Sequence, residues 1–216
     1  MSNIRALRLA AALLMLATAM PANAVGDPYE DLLTAIQNRD LDSVKALIAR
    51  GMEVDTVDRA GNTLLMMAAR AGNDETVIYL VATGAKVNKR NRFNESALML
   101  AALAGHLVTC QFLIDHDADV DHDGWRPLIY AAFGGHNDVI RLLLALNVDI
   151  DGASENGTTA LMMAAQAGHV ATVKLLLGNR ADADLKNEAG LTALKWAVKQ
   201  GHADVASVLR GAGTKK

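Results

Sequence analysis

The sequence predicts an all-α repeat solenoid built from six similar helix-turn-helix units. Three observations lead there. Leu32, Leu65, Leu98, Leu128, Leu161 and Leu194 recur at spacings of 33, 33, 30, 33 and 33, a period that belongs to stacked supersecondary units. Further residues keep register with these anchors. Ala35, Ala68, Ala101, Ala131, Ala164 and Ala197 follow three later, and Gly72, Gly105, Gly135, Gly168 and Gly201 follow seven later. Leu47, Leu80, Leu113, Leu143, Leu176 and Leu209 follow fifteen later. Finally, hydrophobic residues make up 51% but aromatics only 4%, which argues against a sandwich or barrel core filled by rings.

The elements follow in order. Residues 1–24 read as an export leader. Arg5 and Arg8 precede the uncharged run Leu9 to Met20, Pro21 breaks it, and Ala22-Asn23-Ala24 offers a small-x-small cleavage site. Twelve residues span only about 18 Å as a helix, short of a ~30 Å hydrocarbon core. The leader is therefore expected to be cleaved, leaving no membrane span, and its form points to a bacterial Sec route and a periplasmic or secreted protein. Arg5 and Arg8 are not adjacent, which argues against a twin-arginine signal.

The repeat domain is expected over 25–216, with units near 25–57, 58–90, 91–120, 121–153, 154–186 and 187–216. In the second unit a short apolar helix, Thr63–Ala71, should be cut by Gly72. A second helix then carries Val77, Leu80 and Val81 on one face and should stop at Gly84, a left-handed cap. An extended Val87-Asn88 should lead into the next turn. The small alanines let first helices approach closely. One pair alone cannot cover its apolar face, so stacking is required.

Read residue by residue, the second unit shows Asp58, Gly61, Thr63, Leu65, Ala68-Ala69, Gly72, Leu80, Gly84-Ala85 and Val87-Asn88. The fifth shows Gly157, Thr159, Leu161, Ala164-Ala165, Gly168-His169 and Leu176-Leu177. This resembles the ankyrin repeat family over about residues 27–213. The resemblance implies short β-hairpin fingers between units, a concave binding face and no catalysis. Several departures matter. The family histidine after the anchor leucine is replaced by Met66, Met99, Ile129, Met162 and Lys195, which predicts fewer polar ties and a looser stack. The family proline survives only at Pro127. Asp117, Asn147 and Arg180 stand where a cap glycine is usual. The third-to-fourth junction is three residues short: Val120 to Leu128 is eight positions, against eleven from Val87 to Leu98. A stunted finger is expected there, either a notch for a partner or a neutral trimming of the loop.

Chemical motifs are weak. His106, His136, His169 and His202 occupy one repeat position. A linear row at ~8–10 Å helix spacing cannot converge on a zinc ion at ~2 Å, so local bonds at the start of each second helix are expected and no metal. Asp119 to Gly124 matches the opening of an EF-hand loop, but its twelfth position is Tyr130, not Glu; calcium stays open. Cys110 shares the core register of Val44, Val77, Ile140 and Val173, which predicts an inert packed thiol. No phosphate-cradling loop, Gly-x-Ser-x-Gly elbow or His-Glu-x-x-His is present. No cofactor is expected.

What remains is surface. A formal net charge of −3, or −5 once Arg5 and Arg8 leave with the leader, gives no support for nucleic-acid binding. Carried over from the family, the turn tips and first-helix ends should line the concave face. Phe93, Trp125 and Phe133, three of eight aromatics, fall at such positions in adjacent units, with Leu103 beside them and Arg59, Arg70, Arg90 and Arg92 flanking. Aromatic and arginine anchors are the usual interface hot spots. Tyr130 and Trp196 are read as packing. The expectation is a monomeric, non-catalytic module binding another protein. Resemblance to exported bacterial ankyrin proteins implies an accessory factor of an envelope or stress-response enzyme such as a catalase. The alternatives are an immunity-type toxin inhibitor, or a calcium- or small-molecule-binding enzyme on a repeat scaffold.

Overall fold

A computed structural model describes residues 28–121 and 124–213. The leader read at 1–24 lies outside the described residues. Among the described residues, twelve helices form six antiparallel pairs: α1 (Pro28–Gln37) with α2 (Leu41–Ala49), α3 (Leu64–Ala71) with α4 (Asp74–Ala82), α5 (Ala97–Ala104) with α6 (Leu107–Asp115). These are followed by α7 (Pro127–Gly134) with α8 (Asn137–Ala145), α9 (Ala160–Ala167) with α10 (Val170–Gly178), and α11 (Ala193–Gln200) with α12 (Ala203–Gly213). Among the described residues no helix is long and apolar enough to cross a membrane.

In four of the six pairs the first helix starts on a hydroxyl cap. Thr63, Ser96, Thr159 and Thr192 accept from the backbone N–H three residues on, satisfying an otherwise orphan donor. α7 instead begins with Pro127, whose missing N–H is no loss at that position. All five of these helices end on a left-handed glycine, Gly72 to Gly201. Asp117, Asn147 and Arg180, at φ of 62°, 58° and 71°, do adopt the left-handed conformation at the ends of the second helices.

The alanine register explains the shape. Ala68, Ala69, Ala101, Ala102, Ala131, Ala132, Ala164, Ala165 and Ala197 are all fully buried. Each presents only a methyl to the neighbouring unit, so first helices pack extensively along the row while successive second helices touch little. Tight spacing on one side and loose spacing on the other curves the stack, with the first helices on the inner side. Leucines, isoleucines and Cys110 fill the space between the two layers in one continuous core.

Neighbouring units are also sewn together through their loops. An Asp or Asn of each unit accepts the backbone N–H of the next: Asp55 from Lys86 at 3.1 Å, Asn88 from Asp119 at 2.9 Å, Asp121 from Asp149 at 3.0 Å, Asp151 from Asp182 at 2.9 Å. Val87-Asn88, expected to be extended, lies instead in a tight turn with Lys89 N–H on the Lys86 carbonyl. That turn aims Asn88 at the next unit. The fingers close through single backbone bonds such as Asn91 to Glu95 and Ser154 to Thr158, with one antiparallel bridge, Val57 to Thr63.

Candidate interaction face

The fingers lead into the first helices from one edge, and their tips stack. Arg92 N–H donates to the Ala60 carbonyl at 3.0 Å, and Glu188 N–H to the Asn156 carbonyl at 3.0 Å. Within a finger the turn is held by a side chain at its base. Asp58 accepts from Ala60 N–H, Asn62 N–H and the Asn62 amide. Asn91 accepts from Phe93 and Glu95 N–H at 2.9 Å each. These Asx bonds set the tips rigidly.

Phe93 sits at such a tip with 69% of its surface exposed, and Phe133, near the end of α7, is 42% exposed. Leu103 is half-buried at the equivalent place on α5. Arg59, Arg70 and Arg92 are exposed and form no ion pair among the described residues. Two anchors differ from expectation. Trp125 is half-buried, packed against the core with its ring edge-on to Tyr130 at 5.8 Å between centroids. Arg90 is also half-buried. Its guanidinium donates to the Asn94 carbonyl at 3.0 Å and lies 3.9 Å from the Asp119 carboxylate, so it braces the third finger.

Two further side chains belong to this face. Tyr130 packs against the core as read from sequence, but its hydroxyl also donates to Glu95 Oε1 at 3.1 Å across the unit boundary. Burial, then the Glu95 carboxylate, pushes the Tyr130 phenol well above its usual range, with Glu155 adding to the push. Glu95 in turn accepts from the Asn91 amide at 2.8 Å. This polar cluster spans units, and the register alone gave no signal for it.

His106, His136 and His169 make no side-chain bond capping their own helices. Each reaches back to the preceding unit instead. Nε2 of His106, His136, His169 and His202 pairs with the carbonyls of Arg70, Leu103, Phe133 and Gln166 at 3.2, 2.9, 2.9 and 3.0 Å. Those carbonyls belong to the last turn of a first helix, where no intrahelical donor remains. The rings lie directly over the cap glycines: a Cβ on Gly105 would stand 2.3 Å from His136 Nδ1. This corrects the expected loss of polar ties. Met66 and Met99, standing where the family histidine would be, also serve as sulfur acceptors for the Thr63 and Ser96 N–H at 3.4 Å.

The acidic run is largely committed. Asp121 pairs with Arg126 and accepts Asp149 N–H, and Asp119 faces Arg90. His122 and Asp123 lie outside the described residues. Cys110 is fully buried, and burial pushes its thiol up to about 12. A cleft of about 930 Å3 lies elsewhere, between α10 and α12, against Leu177, Arg180 and Val208. Asp40, Cys110 and Tyr130, whose titration is shifted, do not line it.

A stack of paired helices whose finger tips are bonded between units defines a repeat scaffold that presents surface. The family model for ankyrin repeats (three copies) matches residues 14–91, 83–154 and 146–216. The chain belongs to the ankyrin repeat family. It is similar to the crystal structure of the human ASB11 ankyrin repeat domain, with a TM-score of 0.75, 28% sequence identity and coverage of 84% of this chain and 83% of that one. No curated protein matches. Ankyrin repeats generally mediate protein–protein interaction and are typically non-catalytic.

Proposed function

We propose that this protein is an exported binding module that engages another protein through its concave face, centred on units three and four. The observation that carries the reading is Phe93 and Phe133, two exposed aromatics in adjacent units of a chain that has eight aromatics in all. Rings held outside the core by rigid turns and helix ends have no folding role to explain them, and burying such a ring against a partner is worth about 2 kcal/mol or more. Arg59, Arg70 and Arg92 add unpaired positive charge around them.

Export rests on the leader-like pattern of residues 1–24. Placed in the bacterial envelope, the module would serve as an accessory factor for an envelope or stress-response enzyme, a catalase among the candidates by resemblance. The test replaces Phe93 and Phe133 with Ala, both exposed enough to spare the fold. Capture of a specific envelope protein should fall at least tenfold with the melting curve unchanged. Equal capture by both proteins would refute the face. The mass of the protein purified from the envelope tests export: a mature chain starting at Val25 is expected, and a full-length cytosolic chain would refute it.

A further inference from the structure

The cleft between α10 and α12 has an origin that the other units make visible. Twenty-two residues after the anchor leucine stand Val54, Val87, Val120 and Ile150, each packed against the core, and then Ala183. Fourteen after it, units two to five carry Tyr79, Phe112, Leu142 and Leu175, and the sixth carries Val208. Eighteen after it, Thr83, His116, Leu146 and Asn179 are followed by Ala212. Three positions thus take their smallest residue of units two to six at one junction. Ala183, Val208 and Ala212 all line the same cleft of about 930 Å3.

Such a gap is unfavourable when nothing fills it, because apolar walls facing open space forfeit dispersion contacts. Its volume lies in the range of small-molecule clefts, ~300–1,000 Å3. Leu177, Val208 and Ala212 are half-buried and supply an apolar wall. Lys174 and Arg180 also line the cleft, are exposed, and form no ion pair among the described residues. Arg180 holds left-handed backbone at φ 71°. The three preceding units place Gly84, Asp117 and Asn147 there, residues that adopt it more readily than arginine. A cation is therefore kept at the cleft against local backbone preference. The acids of the lining are committed elsewhere. Asp151 accepts from Asp182 N–H and Asp182 from Asp184 N–H, at 2.9 Å each, and Asp184 is engaged as well.

We propose that this cleft binds an amphipathic monocarboxylate, a single aliphatic chain lying along Leu177, Ala183 and Val208 with its carboxylate toward Lys174 and Arg180. The aliphatic chain takes the place of the side-chain volume absent at Ala183, Val208 and Ala212. Burial of its methylenes supplies the affinity, about fourfold for each one fully buried. The two exposed cations orient the head more than they tighten binding. The site is formed by second helices and the loop between them, away from the finger tips and first-helix ends, so it does not rest on the partner-binding reading.

Isothermal titration calorimetry of the purified protein with dodecanoate, kept below its micelle concentration, tests this. One saturable site is expected, with amide shifts confined to α10, α12 and the loop at Ala183. Decanoate should bind more weakly by about fourfold per methylene lost. A183I restores the isoleucine of the preceding unit and should weaken dodecanoate at least tenfold, with the melting temperature unchanged or raised. If A183I fails to fold, V208L, which follows Leu175, carries the same test. K174Q and R180N should each weaken dodecanoate about threefold, and Asn147 shows that asparagine suits the backbone of the second variant. Dodecyltrimethylammonium should bind more weakly than dodecanoate. Absence of a saturable site, full affinity in the filled-cleft variant, or equal or tighter binding of the ammonium would each overturn the proposal.

Discussion

Gly105→Ala probes the stitching between units most directly. Gly105 caps α5 at φ 78° and ψ 21°, and the nearest atoms to a new Cβ are all in the His136 ring, at 2.3–2.7 Å. The substitution acts twice. A left-handed non-glycine residue costs about 1–2 kcal/mol, and the displaced ring loses its 2.9 Å bond to the Leu103 carbonyl, a part-buried contact worth about 1–1.5 kcal/mol. The total is about 3 kcal/mol. Gly201→Ala is the control: it caps α11 at φ 79° and ψ 15° with nothing within 4 Å, so only the backbone cost of about 1–2 kcal/mol applies. Urea unfolding followed by circular dichroism, at unchanged m-value, measures both. Gly105→Ala combined with His136→Ala should cost about 1 kcal/mol less than the sum of the single changes, because both remove the same bond. Equal losses at Gly105 and Gly201, or strict additivity of the pair, would show that the ring over the glycine is no tie at all.

Three other outcomes follow from the same geometry. Cys110, its thiol pushed up to about 12 by burial, should resist alkylation in the native protein even at mildly alkaline pH and react only as urea unfolds the chain; fast native labelling would contradict the packed position. Asp40 caps α2 and is held below its usual 3.8 by the Ser43 hydroxyl and N–H. A depressed carboxylate contributes stability that is full above 3.8 and fades as pH falls through the folded value, so the advantage of wild type over Asp40→Asn should shrink on acidification, and a gap that widens in acid would be the wrong sign. Glu95→Gln removes the charge that Tyr130 faces; ultraviolet titration should show that phenol ionising earlier, though burial keeps it above an ordinary tyrosine, and an unmoved titration would exclude the pair.

Much of the architecture was legible because the repeat is enforced by sterics. Only alanine fits where first helices meet, and glycine is favoured where each first helix turns back, so those positions print their identity on the sequence six or five times over. Asp117, Asn147 and Arg180 could be placed in left-handed backbone for the same reason, by register and not by residue type. Contacts between units were less legible. The bonds of His106, His136, His169 and His202 run to carbonyls 33 or 36 residues away, and carbonyls carry no sequence signature. Register places Trp125 at a finger but carries no sign of its edge-on contact with Tyr130, which half-buries the ring.

The missing family histidine illustrates how a local reading goes astray when tertiary structure supplies the same physics elsewhere. At the first turn of each first helix the orphan N–H needs an acceptor; in the second and third units a methionine sulfur does this at 3.4 Å, a weak acceptor that also fills core space. Cross-unit polar contact has moved to the other end of the helix, where orphan carbonyls need donors and a histidine from the next unit provides one. Unit two lacks that histidine: Asn73 stands there and caps its own helix, accepting from Thr76 N–H. The first junction is tied in the opposite sense, by Arg39 donating to the Ala71 carbonyl at 2.9 Å. That guanidinium is on an exposed, flexible stem, whereas the imidazoles are pinned over glycine. Rigidity should therefore be unequal along the stack. The loop bonds reach the first junction too, Asp55 accepting from Lys86, but only the junctions among units two to six add an imidazole pinned at the helix end, whereas the first adds the exposed Arg39 bond that solvent can replace. Local opening is expected to begin there. Amide exchange should find the α1–α2 pair least protected, while uniform protection across all six pairs would mean that the ladder of histidines adds nothing to cohesion.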